Sequence, residues 1–212
     1  MHPNSSFRRS PREKDIAALR ERAFGVLTVC GNAAPIASHI PFIMPDATRI
    51  LGHVVRNSPM HIAIKDGAPA LFIVSFGDSY VSPDWYGVDN QVPTWNYVAI
   101  HVTGTALALG PDALPDTLAA QSAELEARLA PKPAWTSDKM SDGVYERMQR
   151  AIIPFELRIE SIESTWKLSQ NKPDEVRERT VAPLKDAQFG LNVSWIGEQM
   201  SAAPAEERQR QD

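Results

Sequence analysis

Gly25-Val26-Leu27-Thr28-Val29-Cys30-Gly31-Asn32, followed by Pro35-Ile36-Ala37-Ser38-His39-Ile40-Pro41-Phe42-Ile43-Met44 and by Ile50-Leu51-Gly52-His53-Val54-Val55, is the stretch that decides the fold. Three β-rich runs follow one another closely, broken at Gly31-Asn32 and Pro45-Asp46, which is the rhythm of a meander. Pro41 has no N–H to donate, so it belongs at an edge or a bulge. Working outward, Pro59 to Lys65 reads as a short helix and Ala70 to Phe76 as the next strand. A turn at Gly77-Asp78 leads into Tyr80-Val81-Ser82, and Trp95 to Leu109 is aromatic and β-branched enough for one or two strands. Further on, Phe155, Leu157 and Ile159 alternate with Glu156, Arg158 and Glu160, the pattern of a half-buried antiparallel strand. Six or so close-set strands with Gly and Pro turns predict a barrel.

Helices flank these strands. Ser10-Pro11-Arg12-Glu13 predicts a capped start, with Ser10 accepting from the backbone and Glu13 reaching back. Ile16, Leu19, Ala23 and Phe24 then recur at helical spacing and form the expected packed face. Arg8, Arg9, Arg12, Lys14, Arg20 and Arg22 gather here, and a solvated helix face explains them better than a nucleic-acid contact. Asp112 to Leu129 and Ser137 to Ile152 are two more predicted helices, the second with Val144, Met148, Ala151 and Ile152 as its apolar stripe. The expected organisation is an N-terminal segment and helix over 1–24, then a barrel over 25–190 with a helical insertion at about 112–152. A tail follows over 191–212, disordered from about 201, where Ala, Pro, Glu, Arg and Gln dominate. The fold class is α+β.

With 212 residues, 43% of them hydrophobic, the chain can bury one core of ordinary size. Its apolar runs, such as Ala70 to Val74, are too short to span a bilayer, and Met1-His2-Pro3-Asn4 shows no secretory pattern. A cytoplasmic protein without membrane attachment is expected. The single cysteine, Cys30, excludes an internal disulfide and is expected to be a small buried apolar residue. A net charge of −4 argues against a chain devoted to gripping nucleic-acid phosphates, although a local basic patch is compatible with it. No GxGxxG, phosphate-loop, HExxH or GxSxG pattern occurs.

Four segments carry more polar and aromatic residues than strands and turns need. Arg56 leaves a strand beside Asn57 and Ser58, where a guanidinium fork with amide and hydroxyl neighbours suits a phosphate or carboxylate; a surface ion pair is the alternative. In Trp166-Lys167-Leu168-Ser169-Gln170-Asn171-Lys172, two cations and two hydrogen-bonding side chains close a strand, a second natural anion site or else a solvated turn. Trp85, Tyr86, Trp95 and Tyr97, stiffened by Pro83 and Pro93, either stack on a planar ring or serve as core and interface. His39 and His53 fall in neighbouring strands, but no carboxylates accompany them or His61 and His101, so no metal site is assigned. A histidine general acid–base role is open, with nothing in the spacing to select one.

Together these segments resemble the PaiB family, described as FMN-binding negative transcriptional regulators. The resemblance rests on Ser38-His39-Ile40-Pro41-Phe42, Gly52-His53-Val54-Val55-Arg56-Asn57, Tyr80-Val81-Ser82-Pro83-Asp84-Trp85-Tyr86, Val92-Pro93-Thr94-Trp95-Asn96-Tyr97 and the 166–172 segment, in that order. It implies an FMN-binding split β-barrel of the pyridoxamine-phosphate-oxidase-like kind with peripheral helices. It also implies a homodimer with FMN in the groove between subunits. Arg56 and Lys167 then become phosphate candidates, Ser169 and Gln170 lie near the phosphate or ring edge, and Thr94, Trp95 and Tyr97 belong to the pocket or interface. His39, His53, Asn57 and Ser82 complete the cofactor-binding candidates; no catalytic residue is assigned. The sequence departs from the family pattern at Ser58 and at Met60-His61, where a bulky aromatic is frequent. That histidine matters because the piperazate synthases, a PaiB-like branch, bind haem, and a histidine here is compatible with an axial ligand.

Two functional readings follow. In the first, a flavin-binding regulator changes its contacts with ligand or redox state. No helix-turn-helix is apparent and the net charge is negative, so DNA contact is not supported by charge and repression is read as indirect or through the basic N-terminal helix. In the second, the same barrel is an enzyme, either a flavin-dependent oxidoreductase or a haem-dependent, piperazate-synthase-like catalyst. A barrel whose aromatics are only packing is the remaining possibility.

Overall fold

A computed structural model describes residues 1–203. Strands form in the expected places, with two of the expected segments joined into β4 and β6 extended at both ends: β1 (Phe24–Val29), β2 (Ile36–Asp46), β3 (Arg49–Val55), β4 (Ala68–Val81), β5 (Thr94–Ala108) and β6 (Ile152–Lys167). β1 pairs antiparallel with β2, β2 with β3, and β3 with β6. The order continues through β5 to β4, and β1 closes the ring on β4 with Val26 opposite Ile73 and Val29 opposite Ala70. The result is a six-stranded closed antiparallel barrel with helices, the split-barrel fold.

The chain divides into two compact units, one of residues 16–74 and 101–162, the other of residues 1–15, 75–100 and Glu163 onward. β4, β5 and β6 each run through both. The pairing of β1 with β4 that closes the ring belongs to the first unit, and the core of that unit is the inward face of the strands. Leu27, Phe42, Ile50, Phe72, Phe155 and Leu157 are fully buried, with Phe42 and Phe72 edge to face at 4.9 Å. Inward residues alternate with half-exposed ones along β1 and β3, as period-2 side-chain geometry requires. Gly104 marks a close approach of backbones: a Cβ there would lie 1.9 Å from the Arg158 carbonyl oxygen. Pro41 stands opposite Phe24 at the end of the β1 pairing, just before β2 begins to pair with β3 at Phe42. α2 (Pro59–Ile64) and α3 (Leu114–Ala127) pack on these strands. At the end of α3, Arg128 donates to the carbonyls of Arg20 and Glu21, the last turn of α1 (Arg12–Arg22).

The other unit ends in α5 (Asp174–Glu178), α6 (Val181–Ala187) and α7 (Val193–Ala202), with the two-residue β7 (Gly190–Leu191) added to β4. Leu184, Val193, Ile196 and Met200 are buried.

Several expectations are corrected. β4 does not turn at Gly77-Asp78; it continues, and Gly77 instead admits its neighbours, since a Cβ there would meet Ile196 Cγ1 and the Leu191 carbonyl oxygen at 3.0 Å. The helix expected over Ser137 to Ile152 is only a 3-10 turn at Ser137–Lys139 and α4 (Val144–Gln149), separated by Gly143 with φ +72°, while Ile152 already starts β6. Much of the expected tail is α7; the remainder of it, beyond residue 203, lies outside the described residues. Cys30 is exposed, because β1 ends at Val29 and the next residue has left the barrel wall. Ser10 does not cap α1: its hydroxyl is buried without a hydrogen-bond partner among the described residues. Among the described residues no helix is long and apolar enough to cross a membrane.

Candidate functional site

The end of β6 and the start of β5 build a cleft of about 240 Å³ in the unit that contains both. Thr94 and Asn96, two apart on β5, share one face, and Asn96 is fully buried. Lys167 is the last residue of β6, and its Nζ donates to Thr94 Oγ1 at 2.5 Å. Burial holds the Lys167 ammonium below the usual lysine range. Beyond β6 the chain turns through Ser169, at φ +60°, and the Lys172 N–H donates to the Ser169 carbonyl at 2.9 Å. That turn brings Lys172 back, with Nζ donating to Gln91 Oε1 and standing 5.3 Å over the Tyr86 ring.

At the bottom, three buried polar side chains meet. Tyr86 OH lies 3.0 Å from Ser169 Oγ, and Asn96 Nδ2 donates to the same oxygen at 2.9 Å. Burial pushes the Tyr86 phenol up, opposed by the Ser169 hydrogen bond, so it stays neutral. The N-terminal segment supplies one wall: Phe7 is buried with its ring 5.9 Å from Lys167 Nζ, and His2, which packs edge to face on Phe7 at 4.8 Å, donates its backbone N–H to Thr165 Oγ1. Desolvation and the Lys167 charge hold the His2 imidazole below its ordinary pKa. Among the described residues no Asp or Glu lines this cleft. Two ammoniums and several neutral donors without a carboxylate are the chemistry that suits an anion.

Of the predicted site residues, Thr94, Lys167 and Ser169 line the cleft. Gln170 does not: its amide accepts from the Leu168 N–H and donates to the Trp166 and Ser6 carbonyls, so it shapes the turn. Trp95 and Tyr97 lie on the opposite face of β5 from Thr94 and Asn96. Trp95, 41% exposed, packs edge to face with Tyr80 and Phe189. Ser82 precedes the 3-10 turn Pro83–Tyr86 and makes no side-chain capping bond.

His39, His53, Arg56 and Asn57 belong to the other unit. Arg56 Nε donates to the Arg150 carbonyl at 2.6 Å, and an Nη to that of Ile152 at 3.3 Å, so its fork is partly spent tying down the entry to β6. His39 is exposed and stacked on Phe24. His53 is lowered in pKa by burial, with Gln121 opposing, and its Nδ1 has no hydrogen-bond partner among the described residues. Asn57, at φ +61°, donates its N–H to His61 Nδ1 at 3.0 Å.

Asn96 is not singled out by the sequence reading; Lys172 is one of the two cations of the expected anion site and Tyr86 one of the aromatic candidates, but neither is carried into the cofactor-binding set, although all three stand in the segments that carry the family resemblance. Alternation along Thr94-Trp95-Asn96-Tyr97 is the signal that separates the cleft pair from the outward pair. His2 and Phe7 leave no local signal, because their partners at 165 and 167 lie at the far end of the chain.

The family described as "Putative FMN-binding domain" matches residues 1–161. The chain belongs to this family. Its relatives include "Protease synthase and sporulation protein PAI 2" of Bacillus subtilis (strain 168), 31% identical over 157 residues, or 73% of this chain and 74% of that protein. The barrel is similar to the FAD and heme binding protein from Mycobacterium smegmatis, with TM-score 0.55 and 20% identity over 76% of this chain and 73% of that one. It is also similar to the flavocytochrome Anf3 from Azotobacter vinelandii, with TM-score 0.59 and 13% identity over 78% and 72% of the two chains. At these identities the two structures establish the fold.

Proposed function

We propose that this chain is a PaiB-like flavoprotein that binds FMN, with the phosphate end in the Lys167 cleft. The observation that carries the proposal is the lining: Lys167, Lys172, Thr94 and Ser169 converge where no acidic side chain stands among the described residues. A phosphate monoester needs such donors, and it replaces the water that a half-buried ammonium has lost. A cleft of about 240 Å³ is smaller than the roughly 300 Å³ at which pockets for whole ligands begin, which suits the phosphate and ribityl end and leaves the tricyclic ring to a wider surface. When bound, the isoalloxazine supplies reversible electron and hydride transfer. The chain's role is to hold the anion, orient it and exclude water around Lys167. A haem reading asks His61 to give up the hydrogen bond its Nδ1 accepts from Asn57, and FMN asks for no such loss.

The protein is proposed to work as a cytoplasmic homodimer, with the flavin state altering its contacts. Regulation of transcription of the PaiB type would then run through those contacts or through Arg8, Arg9 and Arg12, exposed ahead of and at the start of α1. The deciding experiment is the visible spectrum of the purified protein, followed by titration of the stripped protein with FMN. Two broad flavin bands and saturable uptake of FMN are expected. A protein that stays colourless and takes up no FMN refutes the proposal, and a sharp Soret band replaces FMN with haem. Promoter retardation that disappears when the three arginines become Ala would assign regulation to direct DNA contact. No retardation would leave an indirect route or a flavin-dependent oxidoreductase, which reductant assays separate.

A further inference from the structure

We infer that Tyr86 is a positioning residue that sets the cleft's preference for a phosphate-bearing ligand, acting through the Ser169 hydroxyl. The inference rests on the reading that this cleft receives the phosphate of FMN. Tyr86, Asn96 and Ser169 are 1%, 0% and 3% exposed, and all three line the cleft. Tyr86 OH and Ser169 Oγ share a single hydrogen bond at 3.0 Å, so of their two hydroxyl protons one is unused by the pair. The phenol is the more acidic hydroxyl and the better donor. With Tyr86 donating and Asn96 Nδ2 donating at 2.9 Å, both lone pairs of Ser169 Oγ are filled. Among the described residues the Ser169 proton then has only Asn96 Oδ1 at 3.3 Å, a long contact to the same amide that already serves as donor. A hydroxyl whose acceptor capacity is used and whose own proton is loosely held is a donor awaiting an acceptor. A phosphate oxygen in the cleft is such an acceptor.

Tyr86 also reaches the second cation. Lys172 Nζ stands 5.3 Å over its ring, within cation–π range. One residue therefore aims the Ser169 hydroxyl with its OH and seats the Lys172 ammonium with its ring face. The two roles separate by substitution: Tyr86→Phe keeps the ring and removes only the hydroxyl.

The test is titration of wild type, Tyr86→Phe, Ser169→Gly and the double variant with FMN and, separately, with riboflavin, which lacks the phosphate. Glycine suits φ +60°, so Ser169→Gly keeps the turn while removing the hydroxyl. Tyr86→Phe is expected to weaken FMN about tenfold, the scale of one hydrogen bond to a charged group, and to leave riboflavin unchanged. Ser169→Gly is expected to lose as much, and the double variant no more than either single one, because Tyr86 acts through Ser169. Inorganic phosphate should compete with FMN less effectively in either single variant than in wild type. Equal weakening of FMN and riboflavin would mean a structural role and overturn the inference, as would an unchanged FMN affinity or additive losses. If wild type itself does not prefer FMN to riboflavin, the phosphate reading of the cleft falls and the inference with it. If wild type shows the preference and Tyr86→Phe retains it, the inference alone falls.

Discussion

Replacing Lys167 with Met tests the anion site at its centre. Met retains an apolar stem beside Phe7 and Thr94 but removes the charge. The wild-type ammonium donates to Thr94 Oγ1 at 2.5 Å and is half-buried, so it retains hydrogens for a ligand in a setting that has already stripped some of its hydration. A phosphate about 4 Å from a cation near a protein surface feels about 4 kcal/mol of attraction per unit charge before desolvation. After desolvation, a hydrogen bond to a charged group is worth about 1.5–3 kcal/mol. At about 1.4 kcal/mol per tenfold, Lys167→Met should weaken FMN roughly ten- to a hundredfold. Riboflavin affinity should stay within about twofold, because the lost partner is the phosphate. The assay is quenching of flavin fluorescence on titration of the stripped protein, at low and physiological salt. The pH response gives a second check. Burial lowers the Lys167 pKa, so its charge disappears at a lower pH than an exposed lysine's. Wild-type FMN affinity should therefore fall as pH rises into the alkaline range, and Lys167→Met should lack that limb. An FMN affinity within about twofold of wild type, or equal loss of riboflavin, refutes the placement of the phosphate on Lys167.

Arg56→Ala separates the two phosphate candidates: FMN affinity should stay within about twofold while the melting temperature drops slightly, since the lost bonds go to the Arg150 and Ile152 carbonyls; a tenfold loss of FMN would move the phosphate to Arg56. Gly104→Ala drives a Cβ to 1.9 Å from the Arg158 carbonyl oxygen and must force the β5 and β6 backbones away from each other. A loss of at least about 3 kcal/mol is expected, which a thermal melt would register as a fall of roughly 6–12 °C; an unchanged melt contradicts the close approach. Burial lowers the His53 pKa against the opposing Gln121 hydrogen bond, so the unfolded chain binds its proton first as pH falls below 6.5, and the contribution of this group to stability declines on acidification. His53→Gln should flatten that decline in denaturant titrations; an identical slope would show that other groups carry it.

The barrel is legible in the sequence because its walls obey simple periodicities. Alternation in β1 and β3 follows from one buried and one wetter face, and the turn between β1 and β2 carries Gly31, Asn32 and Pro35; β6 departs from the expected alternation, with Glu156 buried between Phe155 and Leu157, and Pro45-Asp46 close β2 ahead of the turn at Ala47-Thr48. The sequence misleads where a local signal has two meanings. Gly77 reads as a turn, yet a glycine within a strand also marks a close neighbour, here α7 and β7. Cys30 reads as buried because its run is apolar, but burial ends one residue earlier with the last β1 pairing at Val29. Val193, Ile196 and Met200 carry helical spacing, which the polar composition beyond Ser201 obscures.

The site is legible by segment and not by side chain, and the reason is geometric. A run such as Thr94-Trp95-Asn96-Tyr97 contains residues of both strand faces, so a resemblance that covers the run selects the aromatic members as readily as the polar ones. Period-2 alternation alone divides them: Thr94 and Asn96 on the cleft side, Trp95 packing against Tyr80 and Phe189 on the other. The 166–172 run obeys a different rule, because β6 stops at Lys167 and the positive φ of Ser169 reverses the chain. Lys167, Ser169 and Lys172 then return to one cleft although their spacing fits neither strand nor helix. Gln170, chemically as plausible a ligand as Ser169, is consumed in making that reversal. The chemistry of the cleft thus depends on a backbone turn as well as on residue type. A variant such as Ser169→Pro, which cannot adopt φ +60°, should abolish FMN binding through displacement of both lysines; Ser169→Gly should lose the contribution of one hydroxyl alone. Equal losses in the two variants would mean that the turn does not organise the cations, and the cleft would have to be rebuilt around the hydroxyl.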